Sequence, residues 1–131
     1  MSKSVILCVD DEVMILDSLK RQLRKCFRDT YIYEVAESGE EAMEIIDELV
    51  DEGKNIVVIV SDWLMPGLRG DEFLIQVHQK YPQIVKIMLT GQADKAALER
   101  AKKQANLHCY LGKPWQGDEL IKAIESGLKN L

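Results

Sequence analysis

The sequence predicts an α/β fold: a doubly wound, five-stranded parallel sheet built by a (βα)5 chain, with helices on both faces. Apolar runs typical of buried strands alternate with amphipathic segments typical of helices along the whole chain. Right-handed crossovers fold such a chain into one parallel sheet. Polar residues also follow four of the apolar runs closely, so they fall at the carboxyl ends of the predicted strands, where open α/β sheets bind ligands.

The first half of the chain contains two strands and two helices. Val5–Val9 is the first predicted strand, and the apolar spacing from Val13 to about Phe27 is typical of an amphipathic helix. The run Ile32–Ala36 is more polar, which favours a strand at the edge of the sheet. Ser38 stands three residues before Glu41, a capping-box pattern that predicts the start of a second helix.

The second half continues the same alternation. Ile56–Val60 is the most apolar run and is rich in β-branched residues, so we expect it to be the central strand. The elements predicted after it are a helix from Asp71 to about Lys80, a strand at Val85–Leu89, a helix from about Ala93 to Gln104, a strand at Leu107–Leu111 and a helix from Gly117 to about Leu128. No linker or repeat interrupts the 131 residues, so we expect one domain over 1–131.

Composition limits the classes of function. The net charge of −5 argues against a general affinity for nucleic acid or anionic membranes. No apolar stretch approaches the ~20 residues of a membrane span, and no signal-peptide pattern precedes the first strand, so a soluble, cytoplasmic chain is expected. The cysteines Cys8, Cys26 and Cys109 lie far apart, which predicts small core residues in a reducing compartment rather than a disulfide or zinc site.

The polar residues at the strand ends form a candidate site. Asp10 and Asp11 follow the first strand, Asp62 the third, Thr90 the fourth and Lys113 the fifth. The doubly wound strand order 2-1-3-4-5 makes the first and third strands neighbours at the topological switch point. The three carboxylates would then form an acidic pocket suited to Mg²⁺, and a cation would relieve the repulsion that raises their pKa values.

This set of groups suits phosphoryl transfer. Asp62 ends the central strand and faces a loop, and attack of its carboxylate on phosphorus would give an aspartyl phosphate. The Thr90 hydroxyl can donate a hydrogen bond to one phosphoryl oxygen, and the Lys113 ammonium can pair with another. Catalysis would then consist of positioning and electrostatic stabilisation.

Each residue also has a simpler interpretation when it is taken alone. Asp10 and Asp11 could cap the first helix, Asp62 and Thr90 could be turn residues, and Lys113 could be a solvated lysine. The coincidence of all of them at one edge of one predicted sheet favours the site over these separate explanations.

Four motifs together resemble the receiver domains of two-component response regulators. They are Cys8-Val9-Asp10-Asp11-Glu12, Ser61-Asp62-Trp63-Leu64-Met65-Pro66-Gly67, Leu89-Thr90-Gly91 and Gly112-Lys113-Pro114. They stand in order and at ordinary spacing, and the resemblance covers about Ser4 to Gly127. It implies the flavodoxin-like fold of chemotaxis regulators and a phosphorelay switch, not an enzyme, whose only chemistry is its own phosphorylation and dephosphorylation.

The resemblance also implies a role for each site residue. Asp62 would accept a phosphoryl group from a histidine kinase or histidine phosphotransfer protein. Asp11, Asp62 and the backbone carbonyl of Leu64 would bind Mg²⁺, or Mn²⁺ in its place, while Asp10 would act mainly through water. In this family the residue two positions after the acceptor, here Leu64, and the one two positions after the threonine, here Gln92, tune hydrolysis. Leu64 and Gln92 at these two positions predict slow to intermediate self-dephosphorylation.

The same resemblance implies a conformational switch. Thr90 and Lys113 would hold the phosphoryl oxygens, and the Lys113–Pro114 bond would be cis. Tyr110 would turn inward as Thr90 moves toward the phosphate. The fourth helix, fifth strand and fifth helix would then shift between two existing arrangements.

Other functions and several partners stay open on sequence alone. A Mg²⁺-dependent phosphatase or phosphotransferase usually carries a second acid two residues after its nucleophile, where this chain has Leu64. A nuclease-like or primase-like acidic cluster calls for a basic groove, and a pure interaction module would not need every acceptor residue. The basic fourth and acidic fifth helices could form a homodimer face or a solvated surface, and an effector domain could follow Leu131.

Overall fold

The computed structural model describes residues 3–91 and 94–129. Within those ranges strands and helices alternate, as predicted. The elements are β1 (Ser4–Val9), α1 (Val13–Phe27), β2 (Tyr31–Ala36), α2 (Gly39–Asp51), β3 (Ile56–Asp62), α3 (Gly70–Lys80), β4 (Val85–Thr90), α4 (Lys95–Gln104), β5 (Cys109–Gly112) and α5 (Glu119–Lys129). A short 3-10 turn at Arg28–Thr30 connects α1 to β2.

The strands form one parallel sheet in the order β2-β1-β3-β4-β5. The predicted strand order, the central position of β3 and the edge position of β2 are therefore confirmed. At the carboxyl edge, Asp62 stands opposite Leu89, and Thr90 stands opposite Gly112. This register sets the ends of β3, β4 and β5 at nearly the same height.

Two apolar clusters cover the two faces of the sheet. On one face, side chains of α2, α3 and α4, among them Ile46 and Phe73, pack against alternate strand residues such as Leu7. On the other face, side chains of α1 and α5, among them Leu19, pack against the intervening residues such as Ile6. Neighbouring strand residues point to opposite faces, so helices on both sides bury nearly all of β1, β3 and β4, while the edge strands β2 and β5 stay partly exposed.

Helix starts follow the local sequence. Ser38 accepts a hydrogen bond from the backbone N–H of Glu41 at 3.0 Å, which confirms the predicted cap of α2. Asp94 accepts from the backbone N–H of Ala96 at 3.0 Å, and α4 begins at Lys95. The predicted start of this helix, Ala93, lies outside the described residues.

Three details differ from the sequence prediction. The third strand extends past the predicted end at Val60 and has Asp62 as its last residue. The fifth strand begins at Cys109, because the backbone N–H of Leu107 bonds the carbonyl of Ala101 and keeps that segment at the end of α4. Cys26 is exposed, since the inward face of α1 consists of Leu16, Leu19 and Leu23.

All three cysteines are free, and Cys8 is buried while Cys109 is half-buried. The core prediction therefore holds for Cys8 and fails for Cys26. Among the described residues, no helix combines the length and apolarity that crossing a membrane requires.

Candidate functional site

The carboxyl edge of the sheet brings the predicted site residues together. Asp62 is the last residue of β3 and Thr90 the last of β4, while Asp10 and Lys113 directly follow β1 and β5. Asp62 and Thr90 are buried, and so is Asp10. Because the four strands are parallel neighbours, the side chains at their ends share one small volume.

Three carboxylates form the acidic part of this site. One oxygen each from Asp10, Asp11 and Asp62 can be chosen so that all three lie within 4.8 Å of one another. Asp10 and Asp62 are buried and Asp11 is exposed, so the cluster is open to solvent on one side. Oxygen ligands at this spacing, with room for water, fit Mg²⁺ or Mn²⁺.

The Lys113 ammonium balances part of this negative charge. Its Nζ lies 2.9 Å from Oδ2 of Asp10 and 3.2 Å from Oδ1 of Asp62. Burial works to lower the pKa of Lys113, but the hydrogen bond to Asp10 and the charge of Asp62 outweigh it, so the pKa is raised. Lys113 is therefore held as a cation beside the candidate nucleophile.

The ionised form of Asp62 is disfavoured by its surroundings. Burial raises the pKa of Asp62, and the charge of Asp10 raises it further, while Lys113 opposes both. The direction agrees with the predicted crowding of carboxylates. A carboxylate with a raised pKa gains from any cation that approaches it.

Asp10 takes part in the start of α1 as well. Its Oδ1 accepts a hydrogen bond from the backbone N–H of Glu12 at 2.8 Å. Glu12 itself occupies the N-cap position and makes no side-chain cap bond. The N-cap of α1 is therefore neither Asp10 nor Asp11, whereas the position of Asp10 agrees with the acidic-cluster interpretation.

The loop after Asp62 is folded tightly against the ends of β3 and β4. The backbone N–H of Trp63 donates to the carbonyl of Leu89 at 2.8 Å, and that of Gly70 donates to the carbonyl of Trp63 at 2.7 Å. A Cβ atom at Gly70 would overlap the backbone carbonyl of Asp62. The position of the candidate nucleophile is thus tied directly to the start of α3.

The segment that carries Lys113 is anchored on both sides. The backbone N–H of Lys113 donates to the Thr90 carbonyl at 3.0 Å, and the Lys113–Pro114 peptide bond is cis. Further along, the Trp115 indole N–H donates to Oε1 of Gln22 on α1 at 2.7 Å. The Gln22 amide N–H in turn donates to the Gly117 carbonyl.

Sequence reasoning missed Gln22. It also missed Asp71, a fully buried carboxylate in the first turn of α3. The partners of Gln22, and the Arg100 partner of Asp71, lie far away in the chain, and no local pattern marks these contacts.

A cavity of about 320 Å³ adjoins Asp62 and Lys113 and is lined by Trp63, Leu64 and Gly91 as well. The Leu64 side chain is 62% exposed at this cavity. Tyr110 is 45% exposed, and the Lys102 ammonium lies 5.6 Å from the centre of its ring. Gln92, for which the sequence predicts a role in hydrolysis, lies outside the described residues.

Comparison with known proteins agrees with this geometry. The family model for the response regulator receiver domain matches residues 6–125 of the chain. The hydrogenase transcriptional regulatory protein HoxA of Cupriavidus necator is 32% identical over 127 residues, which make up 97% of this chain and 24% of HoxA. The chain spans about a quarter of the length of the HoxA proteins that it matches.

Shorter relatives match over nearly their full length. A chemotaxis protein CheY homolog of Campylobacter jejuni is 29% identical over 125 residues, or 94% of this chain and 91% of the relative. The crystal structure of the signal receiver domain of an HD domain-containing protein from Pseudomonas fluorescens superposes with a TM-score of 0.87 at 26% identity. The match covers 98% of this chain and 97% of that one.

Proposed function

Because the chain belongs to the family of response regulator receiver domains, we propose that it is a phosphorylation switch in which Asp62 is the phospho-acceptor. The phosphoryl donor is a histidine kinase or a histidine phosphotransfer protein. The observation that carries the proposal is the contact of Lys113 Nζ at 3.2 Å with Asp62, which is one of three clustered carboxylates. A buried carboxylate with a fixed cation beside it suits a nucleophile for an anionic group.

In the proposed reaction, an oxygen of the Asp62 carboxylate forms a bond to phosphorus while the phosphorus–nitrogen bond of a phosphohistidine breaks. The imidazole nitrogen keeps that electron pair and takes up a proton from solvent. Lys113 pairs with one phosphoryl oxygen and Thr90 donates its hydroxyl proton to another. Hydrolysis of the acyl phosphate by water later restores the carboxylate, so the chain acts on itself and not on an external substrate.

The acidic cluster is the proposed metal site. Asp11, Asp62 and the backbone carbonyl of Leu64 would bind Mg²⁺, or Mn²⁺ in its place, and Asp10 would reach the ion mainly through water. When bound, the cation supplies charge neutralisation for the phosphoryl oxygens. The mutual distance of 4.8 Å or less among the carboxylate ligands supports this assignment.

The proposed output is a shift of α4, β5 and α5. Thr90 is the residue that would respond to the phosphoryl group, and the partly exposed Tyr110 on β5 would turn inward with it. The basic α4 would face the carboxylates of Asp118, Glu119 and Glu125, which lie just before and along α5, in a homodimer. HoxA is named as a transcriptional regulatory protein and is about four times longer than this match, which supports a C-terminal effector domain in a longer parent chain. We propose cytoplasmic action, with no direct contact of this domain with nucleic acid or membrane.

Intact mass after incubation with acetyl phosphate and Mg²⁺ tests the proposal. Wild type is expected to gain one phosphoryl group, about 80 Da, that hydroxylamine removes as it does from acyl phosphates. Asp62→Asn is expected to gain none, and Glu44→Gln on the exposed face of α2 is the matched control that retains the gain. An adduct of equal yield in Asp62→Asn, or none in wild type even with phosphohistidine donors, would overturn it.

A further inference from the structure

A second charged cluster lies outside the site just described. The carboxylate of Asp71 is fully buried and has two guanidinium partners. Arg69 approaches it with Nε at 3.3 Å and Nη2 at 3.4 Å. Arg100 contributes Nη1 at 3.0 Å, the shortest of the three contacts. A buried carboxylate is retained in a fold only when such partners compensate its lost hydration.

The cluster connects two functional parts of the molecule. Asp71 is the second residue of α3 and follows Gly70, which packs against the backbone carbonyl of Asp62. Arg100 lies in the middle of α4, the helix assigned to the switch. A continuous path of contacts therefore runs from the backbone of the proposed phospho-acceptor to α4.

Apolar packing holds α4 only weakly. The buried side chains of this helix are Ala97, Leu98 and Ala101, and the two alanines remove little apolar area from water. Two lysines, Lys102 and Lys103, occupy its last turn and are exposed. With so small an apolar anchor, the ion pair from Arg100 to a buried carboxylate contributes a large share of what fixes the position of α4.

We propose that the Arg100–Asp71 ion pair restrains α4 in the arrangement that has Tyr110 partly exposed, and that the pair must loosen when the switch moves. This inference rests on the proposed function. It assigns to Asp71 and Arg100 control of the equilibrium between the two arrangements of α4. A restraint specific to one arrangement lowers the affinity for any ligand that favours the other arrangement. Removing the Arg100–Asp71 ion pair must therefore raise the affinity for such a ligand by the same factor, since the coupling between restraint and ligand is reciprocal.

Beryllofluoride with Mg²⁺, titrated into the protein and followed by tryptophan fluorescence, measures this coupling, since Trp63 lines the cavity at Asp62. Arg100→Gln is expected to reach half-saturation at a beryllofluoride concentration about five-fold lower than wild type. Lys103→Gln removes the same charge from an exposed position of α4 and is expected to match wild type. Asp71→Asn keeps the shape of the side chain, and adding it to Arg100→Gln is expected to change the affinity little further.

Hydrogen exchange gives a second readout that needs neither metal nor beryllofluoride. The backbone amides of α4 are expected to exchange faster in Arg100→Gln than in Lys103→Gln, because the released helix opens more often. Equal half-saturation and equal α4 exchange in these two variants would overturn the inference, as would weaker beryllofluoride binding in Arg100→Gln. If wild type and Asp62→Asn respond alike to beryllofluoride, the proposed function fails, and the exchange rates still decide whether the pair restrains α4.

Discussion

The ammonium nitrogen of Lys113 lies 3.2 Å from Oδ1 of Asp62, although Asp62 ends β3 and Lys113 follows β5, two strands that are not neighbours. β4 separates β3 from β5, so the Lys113 side chain crosses the end of β4 to reach the carboxylate. It meets Asp10 there as well, at 2.9 Å. The charge state of Asp62 is therefore coupled to the packing of three strand ends, and changes at this carboxylate should be visible in the stability of the whole domain.

Replacing Asp62 is expected to stabilise the protein at neutral pH. Burial, and then the charge of Asp10, raise the pKa of Asp62 above its ordinary value of 3.8. The folded protein thus binds this proton more tightly than the unfolded chain does, so the ionised carboxylate costs stability above the folded pKa. We expect Asp62→Asn to increase the free energy of unfolding at pH 7 by about 1 kcal/mol.

The pH dependence of the gain in stability distinguishes the loss of a buried ionised carboxylate from a change in packing. The gain of Asp62→Asn over wild type should shrink as the pH falls through the raised pKa toward 3.8, where Asp62 is protonated in both states. Urea unfolding in EDTA between pH 7 and pH 4 measures it, with Glu44→Gln as the control. A gain that is independent of pH, or a loss at pH 7, would contradict the assigned cause.

Gly70→Ala is expected to be strongly destabilising. A Cβ atom at this position overlaps the backbone carbonyl of Asp62, and a rigid backbone atom cannot move aside cheaply. We expect a loss of about 2 to 3 kcal/mol of unfolding free energy, together with slower phosphorylation by acetyl phosphate. Gly112→Ala is the matched control, because a Cβ there meets no atom within 4 Å. Equal stability of the two variants would show that the loop can relax.

Gln22→Ala should weaken the anchor of the segment that carries Lys113. The Gln22 amide bonds both the Trp115 indole N–H and the Gly117 carbonyl. Losing both is expected to cost about 1 kcal/mol of stability, shift the Trp115 fluorescence and slow phosphorylation, since Lys113 is then positioned less firmly. Gln76→Ala, at an exposed position of α3, is the control. Unchanged phosphorylation in Gln22→Ala would show that the two Gln22 hydrogen bonds contribute to stability only.

The fold and the convergence of the polar residues were predictable because both depend on local patterns. Each strand shows as an apolar run, and each site residue stands at or just beyond the end of such a run, as Asp10, Asp62 and Lys113 do. The order of parallel strands then places those ends together. The prediction needed no knowledge of any side-chain contact.

The contacts between elements were not predictable in the same way. Gln22 meets Trp115, and Arg100 meets Asp71, across large separations in the chain, and neither glutamine nor arginine has a spacing that marks such a partner. The exposure of Cys26 was missed because Cys26 is apolar and stands at helical spacing, and this pattern predicts a residue on the inner face of α1. In the structure, α1 completes that face with its leucines.

Lys86 gives the last prediction. Its side chain is buried on β4, and its Nζ donates to the Ile84 carbonyl at 2.8 Å and lies 3.1 Å from Nδ1 of His78. No carboxylate pairs with it among the described ion pairs. Burial accordingly lowers the pKa of Lys86 from 10.5 to about 8, and burial together with the Lys86 charge lowers the pKa of His78.

Because its folded pKa is below the unfolded value, charged Lys86 costs stability below pH 8, and this cost disappears between pH 8 and 10.5. The free energy of unfolding of wild type should therefore rise over that interval relative to Lys86→Met, by about 1 to 3 kcal/mol. Unfolding in urea at pH 7.5 and pH 10 measures the difference between the two proteins, in which the titration of other groups cancels. Lys103→Met, at an exposed site, should run parallel to wild type. A constant difference between wild type and Lys86→Met would mean that water or the neighbouring carbonyls keep the ammonium as stable inside the fold as in solvent.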